Sequence, residues 1–163
     1  MTDPVVSQRA IQVEHVRIEF ARSFAEVKAA FENGVPRLDA GILALLQQGE
    51  IDRVRSELER GPELAIFSSR DHGALLEIAG QLCRAVQYDI GNPLTATRMT
   101  RHQLPASLYA PLRVVLYENE DGHAIFEYDR PSSLFGQFGD ERVTAVGREL
   151  DASLERTLLK AAR

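Results

Sequence analysis

The sequence predicts one domain that combines α-helices with β-strands, at least two of which pair as an antiparallel hairpin. Its length of 163 residues is typical of a single domain. Hydrophobic residues make up 44% of the chain and charged residues 26%, which is ordinary globular usage and excludes disordered, collagen-like and coiled-coil proteins. Segments with alternating apolar residues are separate from segments with helical apolar spacing, so both kinds of element are expected.

The first third of the chain is predicted to contain a strand and three helices. The first ten residues are expected to form a flexible arm, and residues 12–20 alternate as a strand. A capping box made by Ser23 and Glu26 begins the first helix. Interrupted apolar stripes then predict two short helices within residues 39–60, which we interpret as a helical insertion.

The middle and the end of the chain continue this mixture. Residues 64–68 and 83–90 have the length and apolar content of strands, and Asp71 is placed to cap a helix between them. Asn92-Pro93 combines an N-cap residue with proline at the first helical position. Residues 140–162 carry apolar side chains at helical spacing and predict a long C-terminal helix.

The clearest hairpin joins Leu112–Glu118 to Ala124–Tyr128. A three-residue loop, Glu120-Asp121-Gly122, is predicted because it places glycine at the left-handed position that such loops need. This register collects six apolar side chains on one face of the hairpin. A slip of one residue would mix the two faces, so we expect this register.

The same register has consequences for the second face of the hairpin. It sets Arg113 directly opposite Asp129, where an ion pair is expected. Val115, Tyr117 and Ile125 share this face and indicate a covered surface, either a homodimer interface or a ligand groove. A sheet face with scattered apolar residues is the alternative.

Composition narrows the classes of function. A net charge of −5 argues against a nucleic-acid partner, and no apolar run reaches the length of a membrane span. The N-terminus has no signal or transit pattern, so a cytoplasmic location is expected. The single cysteine, Cys83, is expected to be a small buried residue. No cofactor is expected, and no His or Cys spacing is typical of a metal site.

His72 is the most suggestive histidine because it follows Asp71 at a strand-to-helix junction. The pair could supply general acid–base catalysis. Adjacent residues do not face each other on a helix, however, so we expect Asp71 to cap the helix and His72 to act alone. A binding or structural role is the alternative for His72.

Two further segments carry candidate binding residues. Arg130, Ser132 and Ser133, next to Asp129, are suited to hold a carboxylate or phosphate, unless they only form the turn that ends a strand. The segment of residues 134–139 places Phe135 and Phe138 between glycines. It suits a mobile flap over an apolar pocket or a contact with a second subunit.

Six short motifs occur together in one order: Arg70-Asp71-His72, Gly91-Asn92-Pro93, Ala96-Thr97-Arg98-Met99, Pro111-Leu112-Arg113-Val114, Asp121-Gly122 and Tyr128-Asp129-Arg130-Pro131. Their order and spacing resemble the prokaryotic proteins grouped as domain of unknown function 302. The resemblance implies an α+β domain with an antiparallel sheet, helices packed on one face, and frequent dimerisation. It brings no established reaction. It marks five positions that match recurring motifs of the family: His72, Asn92, Arg113, Tyr128 and Pro131.

The sequence therefore predicts a cytoplasmic, dimeric, non-catalytic module that binds a small anionic or amphipathic molecule. The expected ligand-binding residues are His72, Asn92, Arg113, Asp129, Arg130, Ser132, Ser133, Phe135 and Phe138. One alternative is an enzyme with His72 as general base and Arg113 or Arg130 as anion stabiliser. Another is a purely structural protein whose second sheet face and Phe-containing loop form a dimer.

Overall fold

A computed structural model describes residues 3–161 of the chain. Five strands form one antiparallel sheet in the order β1-β5-β4-β3-β2. The strands are β1 (His15–Ser23), β2 (Ala65–Asp71), β3 (Ala85–Gly91), β4 (Leu112–Glu118) and β5 (His123–Asp129). The α-helices are α1 (Phe24–Gly34), α2 (Gly41–Gln47), α3 (Ile51–Arg60), α4 (His72–Leu76), α5 (Pro93–Thr100), α6 (Pro131–Phe135) and α7 (Glu141–Lys160). Short 3-10 segments follow at Glu77–Ala79, Leu104–Tyr109 and Gly136–Phe138.

The fold class predicted for the chain is confirmed. The protein is an α+β domain with an antiparallel sheet, helices on one face and a long C-terminal helix. Among residues 3–161, no helix is both long and apolar enough to cross a membrane. Residues 1 and 2 of the expected arm, and residue 162 of the expected last helix, lie outside the described part of the chain.

The hairpin register is also confirmed. Glu118 pairs with Ala124 and Tyr117 with Ile125, and the Asn119 amide donates to the His123 carbonyl (2.9 Å). Gly122 has a φ of 80°, a left-handed backbone that glycine adopts without the steric cost of a Cβ. The alternating pattern therefore set the register correctly.

The core lies between the helices and the face of the sheet that carries the even-numbered residues of β4 and β5. An aromatic cluster formed by Phe20, Phe31, Tyr88 and Phe126 occupies its centre, with edge-to-face ring centroids 4.9–5.8 Å apart. Tyr88 is buried, and its hydroxyl donates to Glu32 Oε1 (2.9 Å). Burial raises the pKa of Tyr88, so the phenol stays neutral.

The predicted helix starts are confirmed at three positions. Ser23 and Glu26 form the reciprocal capping box at α1. Asp71 accepts a hydrogen bond from the Ala74 amide (2.9 Å), and Asn92 accepts one from the Leu94 amide (2.9 Å). Each cap satisfies an amide that the first helical turn leaves without a partner.

The segment of residues 39–60 contains the two predicted helices, α2 and α3. Ile42, Val54 and Leu58 form a small buried cluster of their own, beside the main core. The turn between the helices contains Gly49, whose φ is 78°. That this segment is an insertion stays a prediction.

Two predictions are wrong. Cys83 is exposed, because β3 begins two residues later at Ala85 and leaves Cys83 in the preceding loop. Arg113 and Asp129 form no ion pair: Arg113 lies opposite Asp89 of β3, and Asp129 contacts His15 of β1. Arg113 therefore lies beside β3, and Asp129 lies beside β1. Neither neighbouring strand can be predicted from the hairpin alone.

Candidate functional site

One end of the sheet collects most of the predicted site residues. The antiparallel order brings together the starts of β1, β2 and β4 and the ends of β3 and β5. Asn92 follows β3 at this end, and Arg130 follows β5. We call this region the Asn92 end of the sheet.

An open cavity of about 240 Å³ lies at the Asn92 end, and we call it the Asn92 cavity. It is lined by Phe67, Ile90, Gly91, Asn92, Pro93, Thr95, Ala96, Met99, Ala110, Pro111, Leu112, Phe135 and Leu150. None of these lining side chains is charged. The cavity therefore suits a neutral, largely apolar group rather than an anion.

Local sequence explains how the wall next to the sheet is built. Asn92 ends β3 and caps α5 through its Oδ1, while its Nδ2 donates to the Pro62 carbonyl (3.1 Å). Gly91 has no side chain, and a Cβ there would meet the Phe67 ring at 3.6 Å and Pro111 at 3.7 Å. Because Gly91 has no side chain, the space between Phe67 and Pro111 stays open and forms part of the cavity.

Polar atoms in the cavity are few. The Asn92 side chain is already engaged by its two hydrogen bonds. Thr95 lines the cavity, and its hydroxyl makes no hydrogen bond to another of the described residues. A ligand with one hydroxyl or carbonyl would find a hydrogen-bond partner there, whereas a charged group would find no opposite charge in the lining.

The opposite wall is formed by α6 and α7. The Ser132 amide donates to Asp151 Oδ1 (2.8 Å) and fixes α6 on α7. Phe135 is 0% exposed, and its ring packs edge-to-face on Tyr109 with centroids 6.4 Å apart. Phe138 also packs on Tyr109 and is partly buried. The expected flap is thus a packed helix and 3-10 turn, and Phe135 is a wall of the cavity.

Arg130 and Ser133 take part in contacts with the N-terminal segment. Ser133 Oγ donates to the Arg130 carbonyl (2.7 Å) and accepts from the Glu14 amide (3.1 Å). Arg130 Nε lies 2.8 Å from Glu14 Oε2, an ion pair without a well-aligned hydrogen bond. Residues 3–14 have no helix or strand, and Arg9 also donates to Gln137 (3.0 Å). These groups therefore hold the chain before β1 and do not line the cavity.

The second face of the sheet, which we call the open face, carries a linked group of polar side chains. His15 Nδ1 lies 3.0 Å from Asp129 Oδ1, and its Nε2 lies 2.9 Å from Glu127 Oε2. Glu127 Oε1 accepts a hydrogen bond from the Tyr117 hydroxyl (2.6 Å). Ile125 is buried on this face. The sequence did not reveal this group, because the pairing of β1 with β5 has no local signal.

These contacts shift the pKa values of the group. The hydrogen bond to Asp129, with a second to Glu127, raises the pKa of His15. The Tyr117 hydroxyl, together with His15, lowers the pKa of Glu127. The arrangement favours a protonated His15 between two carboxylates, an electrostatic contact between β1 and β5.

The structure does not bring His72 to the other predicted residues. His72 begins α4 just after Asp71, which pairs with Val86 at the far end of β3. Strands rise about 3.3 Å per residue, so roughly 17 Å of strand separates this point from Gly91. Arg113 lies near the Asn92 end, but its exposed side chain is on the open face, opposite to the core. Of the nine predicted residues, only Asn92 and Phe135 line the cavity.

Several cavity residues were missed as site candidates: Phe67, Gly91, Met99, Pro111 and Leu150. Their sequence signals are those of core positions. The space between them depends on how α5 packs against α7 and the 3-10 segment Leu104–Tyr109. Within residues 3–161, no group of three His, Cys, Asp or Glu side chains is placed to hold a metal ion.

The fold and the site define an α+β protein with one antiparallel sheet and an apolar cavity at the sheet end. Residues 48–161 match the family model described as domain of unknown function DUF302, and the chain belongs to that family. The resemblance in motifs is therefore confirmed. The matched range includes α3, the second helix of the predicted insertion.

A similar solved structure is the crystal structure of an uncharacterized conserved DUF302 protein from Bacillus stearothermophilus. It is 15% identical, with a TM-score of 0.66, over 90% of this chain and 97% of that chain. At 15% identity the similarity supports the fold alone. It covers 90% of this chain and so extends beyond residues 48–161, the range that the family model matches. No match was found among the curated proteins.

Proposed function

We propose that the protein is a non-catalytic binding module that takes a small neutral molecule, or the apolar part of an amphipathic one, into the Asn92 cavity. The observation that carries the proposal is a cavity of about 240 Å³ whose lining holds no charged side chain. Ligand sites are typically concave and mainly apolar, with a few polar groups that set orientation. Thr95 and Asn92 are the polar side chains of this lining.

The size of the cavity limits the ligand. Apolar cavities of about 150 Å³ accept benzene. A volume of about 240 Å³ therefore suits one aromatic ring with a short substituent, or a short alkyl chain. The sequence pointed to an anionic head bound by Arg113 and Arg130. The apolar lining instead favours a neutral group, with any charged part left outside the cavity.

The first experiment compares three probes of similar size: toluene, benzyl alcohol and benzoate. Thermal unfolding of the full chain is recorded with each probe. A probe present at about ten times its Kd stabilises the folded state by about 1.4 kcal/mol, or roughly 3–5 °C in Tm for a chain of this size. Toluene or benzyl alcohol should produce such a shift, and benzoate a smaller one.

A matched pair of variants locates the binding. Ala96→Leu adds three carbons to the cavity lining, whereas Ala152→Leu makes the same change on the exposed side of α7. Ala96→Leu should abolish the shift and Ala152→Leu should keep it. If no probe stabilises the wild-type protein, or if Ala96→Leu responds like the wild type, the proposal is wrong.

The cytoplasmic location and the homodimer predicted from the sequence belong to the same proposal. On the open face, Ile125 is already only 1% exposed within the single chain, so a second copy would cover the side chains around it rather than Ile125 itself. Val115 and Tyr117 beside it are half-buried. Fractionation of the native cells tests the cytoplasmic location. Sedimentation of the purified chain tests the homodimer.

A further inference from the structure

A second open cavity, of about 160 Å³, shares residues 91–93 with the Asn92 cavity, and we call it the Arg37 cavity. It differs from the Asn92 cavity in charge, because Arg37, Asp39 and Glu57 contribute to its lining. Ligand sites commonly combine an apolar surface with a few polar groups that fix orientation. The two cavities therefore suit different ligands.

The buried part of the Arg37 cavity is apolar. Ile42 and Leu58 belong to the small cluster formed by α2 and α3, and Ala65 begins β2. All three side chains are buried. The volume is close to the ~150 Å³ of an apolar cavity that accepts benzene, so it suits a molecule of about six to eight non-hydrogen atoms. A short aliphatic group of that molecule would contact the buried lining.

Backbone pairing with β2 positions Arg37. The Leu38 amide donates to the Ile66 carbonyl, and the Ile66 amide donates to the Pro36 carbonyl (both 2.9 Å). These bonds place Arg37 in a parallel bridge beside Ile66, at the outer edge of β2. The Arg37 side chain is therefore carried by a segment that the sheet holds in place.

Two opposite charges of this cavity are free to contact a ligand. Within residues 3–161, neither Arg37 nor Asp39 has an ion-pair partner. Arg37 Nη2 donates to the neutral Ser69 hydroxyl (3.2 Å), and Asp39 Oδ1 accepts from the Gly41 amide (2.8 Å). The remaining N–H groups of Arg37 and the second oxygen of Asp39 can therefore bind groups of opposite charge.

The end of α3 adds negative potential to the cavity. Glu57, Leu58 and Gly61 line it, and in the described part of the chain no amide beyond α3 donates to the carbonyls of its last turn. The C-terminal end of a helix carries a partial negative charge, which favours a cation. Glu57 contributes less, since it already contacts Arg60 (3.2 Å). The cavity therefore favours a positive group beside α3 and a negative group at Arg37.

We propose that the Arg37 cavity binds a short aliphatic α-amino acid in its zwitterionic form. The Arg37 guanidinium holds the carboxylate, whose two oxygens match its planar fork of donors. Asp39 and the last carbonyls of α3 hold the ammonium group, and the aliphatic side chain packs on Ile42 and Leu58. A ligand with only one of the two charges would leave the other side of the cavity without a partner.

The first experiment titrates the full chain with three related probes and follows binding by NMR. L-valine carries both charges, isovalerate is valine without the ammonium group, and isobutylamine is valine without the carboxylate. Each charge-assisted hydrogen bond that is lost weakens binding by about tenfold. Valine should therefore bind about tenfold more tightly than either analogue.

Two conservative variants assign the charges. Arg37→Gln should weaken valine binding about tenfold and bring the affinity ratio of valine to isobutylamine towards one. Asp39→Asn should bring the ratio of valine to isovalerate towards one, while its amide oxygen can still accept from Gly41. Arg53→Gln and Asp52→Asn are the controls, because they make the same changes on α3 outside the cavity lining. Both controls should bind valine like the wild type.

The proposal does not depend on ligand binding in the Asn92 cavity. Ala96→Leu reduces the Asn92 cavity but leaves the lining of the Arg37 cavity unchanged, so it should bind valine like the wild type. A wild-type protein that does not bind valine, or that binds it no better than the two analogues, would overturn the proposal. So would an Ala96→Leu variant that loses valine binding, since the amino acid would then lie in the Asn92 cavity.

Discussion

Single glycines decide where backbone segments approach each other near the cavity. Gly147 lies in α7 beneath α6, and a Cβ there would come within 2.9 Å of Ser132 Cα and 3.3 Å of Phe135 Cβ. Since the first of these atoms is backbone, it cannot move aside like the end of a flexible side chain. Gly147 therefore allows α6 to press Phe135 into the cavity wall.

Gly147→Ala should destabilise the protein by about 1–3 kcal/mol, the usual cost of overpacking. Gly136→Ala is the matched control, because its Cβ would meet Thr144 only at an ordinary 3.8 Å. Urea unfolding of both variants measures the difference. Equal stability of the two variants would contradict this account of how α6 docks on α7.

At the scale of elements, the contact of β1 with β5 depends on more than backbone hydrogen bonds. His15 begins β1 and bridges Asp129 and Glu127, two residues apart on β5. Its side chain is 57% exposed, so screening by solvent limits its contribution to less than about 1 kcal/mol. The contact still ties the first residue of the edge strand to its neighbour.

This contact makes the stability of β1 depend on pH. The pKa of His15 is raised in the folded state, so the stabilisation is complete below the unfolded value of about 6.5 and is lost as pH rises through the folded pKa. His15→Gln should therefore cost more stability at pH 6 than at pH 9, as measured by urea unfolding.

His102→Gln is the control, because His102 has no ion-pair partner among the described residues. It should show no such dependence. A His15→Gln effect that is the same at both pH values would mean that the imidazole stabilises β1 by packing alone.

At the scale of the whole molecule, one aromatic cluster joins the sheet to α1. Phe126 of β5 contacts Phe20 and Phe31 edge-to-face at 5.8 and 5.2 Å between centroids. Its side chain is fully buried. Phe20 and Phe31 come from the consecutive elements β1 and α1, whereas Phe126 comes from β5, about 100 residues later in the chain. The cluster therefore couples the N-terminal strand and helix to the hairpin.

Phe126→Ala should lose about 3–5 kcal/mol of unfolding free energy, the range observed when a buried Phe is truncated. Phe67→Ala makes the same change at the cavity rim, where Phe67 is 37% exposed, and should lose clearly less. Chemical denaturation of both variants checks the order. The reverse order would mean that the cluster does not hold the core together.

Local signals were sufficient for the hairpin register and for three helix starts. The alternation of β4 and β5 with Gly122 in the turn determined a register that the structure confirms. Ser23, Asp71 and Asn92 were identified as caps because capping depends on amides two or three residues away. Such interactions are complete within a few residues, so they can be read from the chain alone.

The candidate site was less predictable, since its residues meet only through the sheet order. Asn92 and Phe135 are the two predicted residues that line the cavity, and each has a local signal: Asn92 caps a helix, and Phe135 lies in an aromatic segment between glycines. His72 was grouped with them because strand direction was unknown, and it lies at the other end of the sheet. Cys83 was predicted to be buried, but β3 begins two residues after it, so Cys83 lies in the exposed loop before the strand.

The sequence by itself determined the fold class, the helix caps, the hairpin register and the family, all of which depend on periodicity, composition and short motifs. The tertiary structure decided the edge position of β1, the contact of His15 with Asp129 and Glu127, and the shape and neutrality of the Asn92 cavity. The reason is physical. Cavities and edges are properties of how elements pack, and packing joins residues whose separation along the chain carries no local signal.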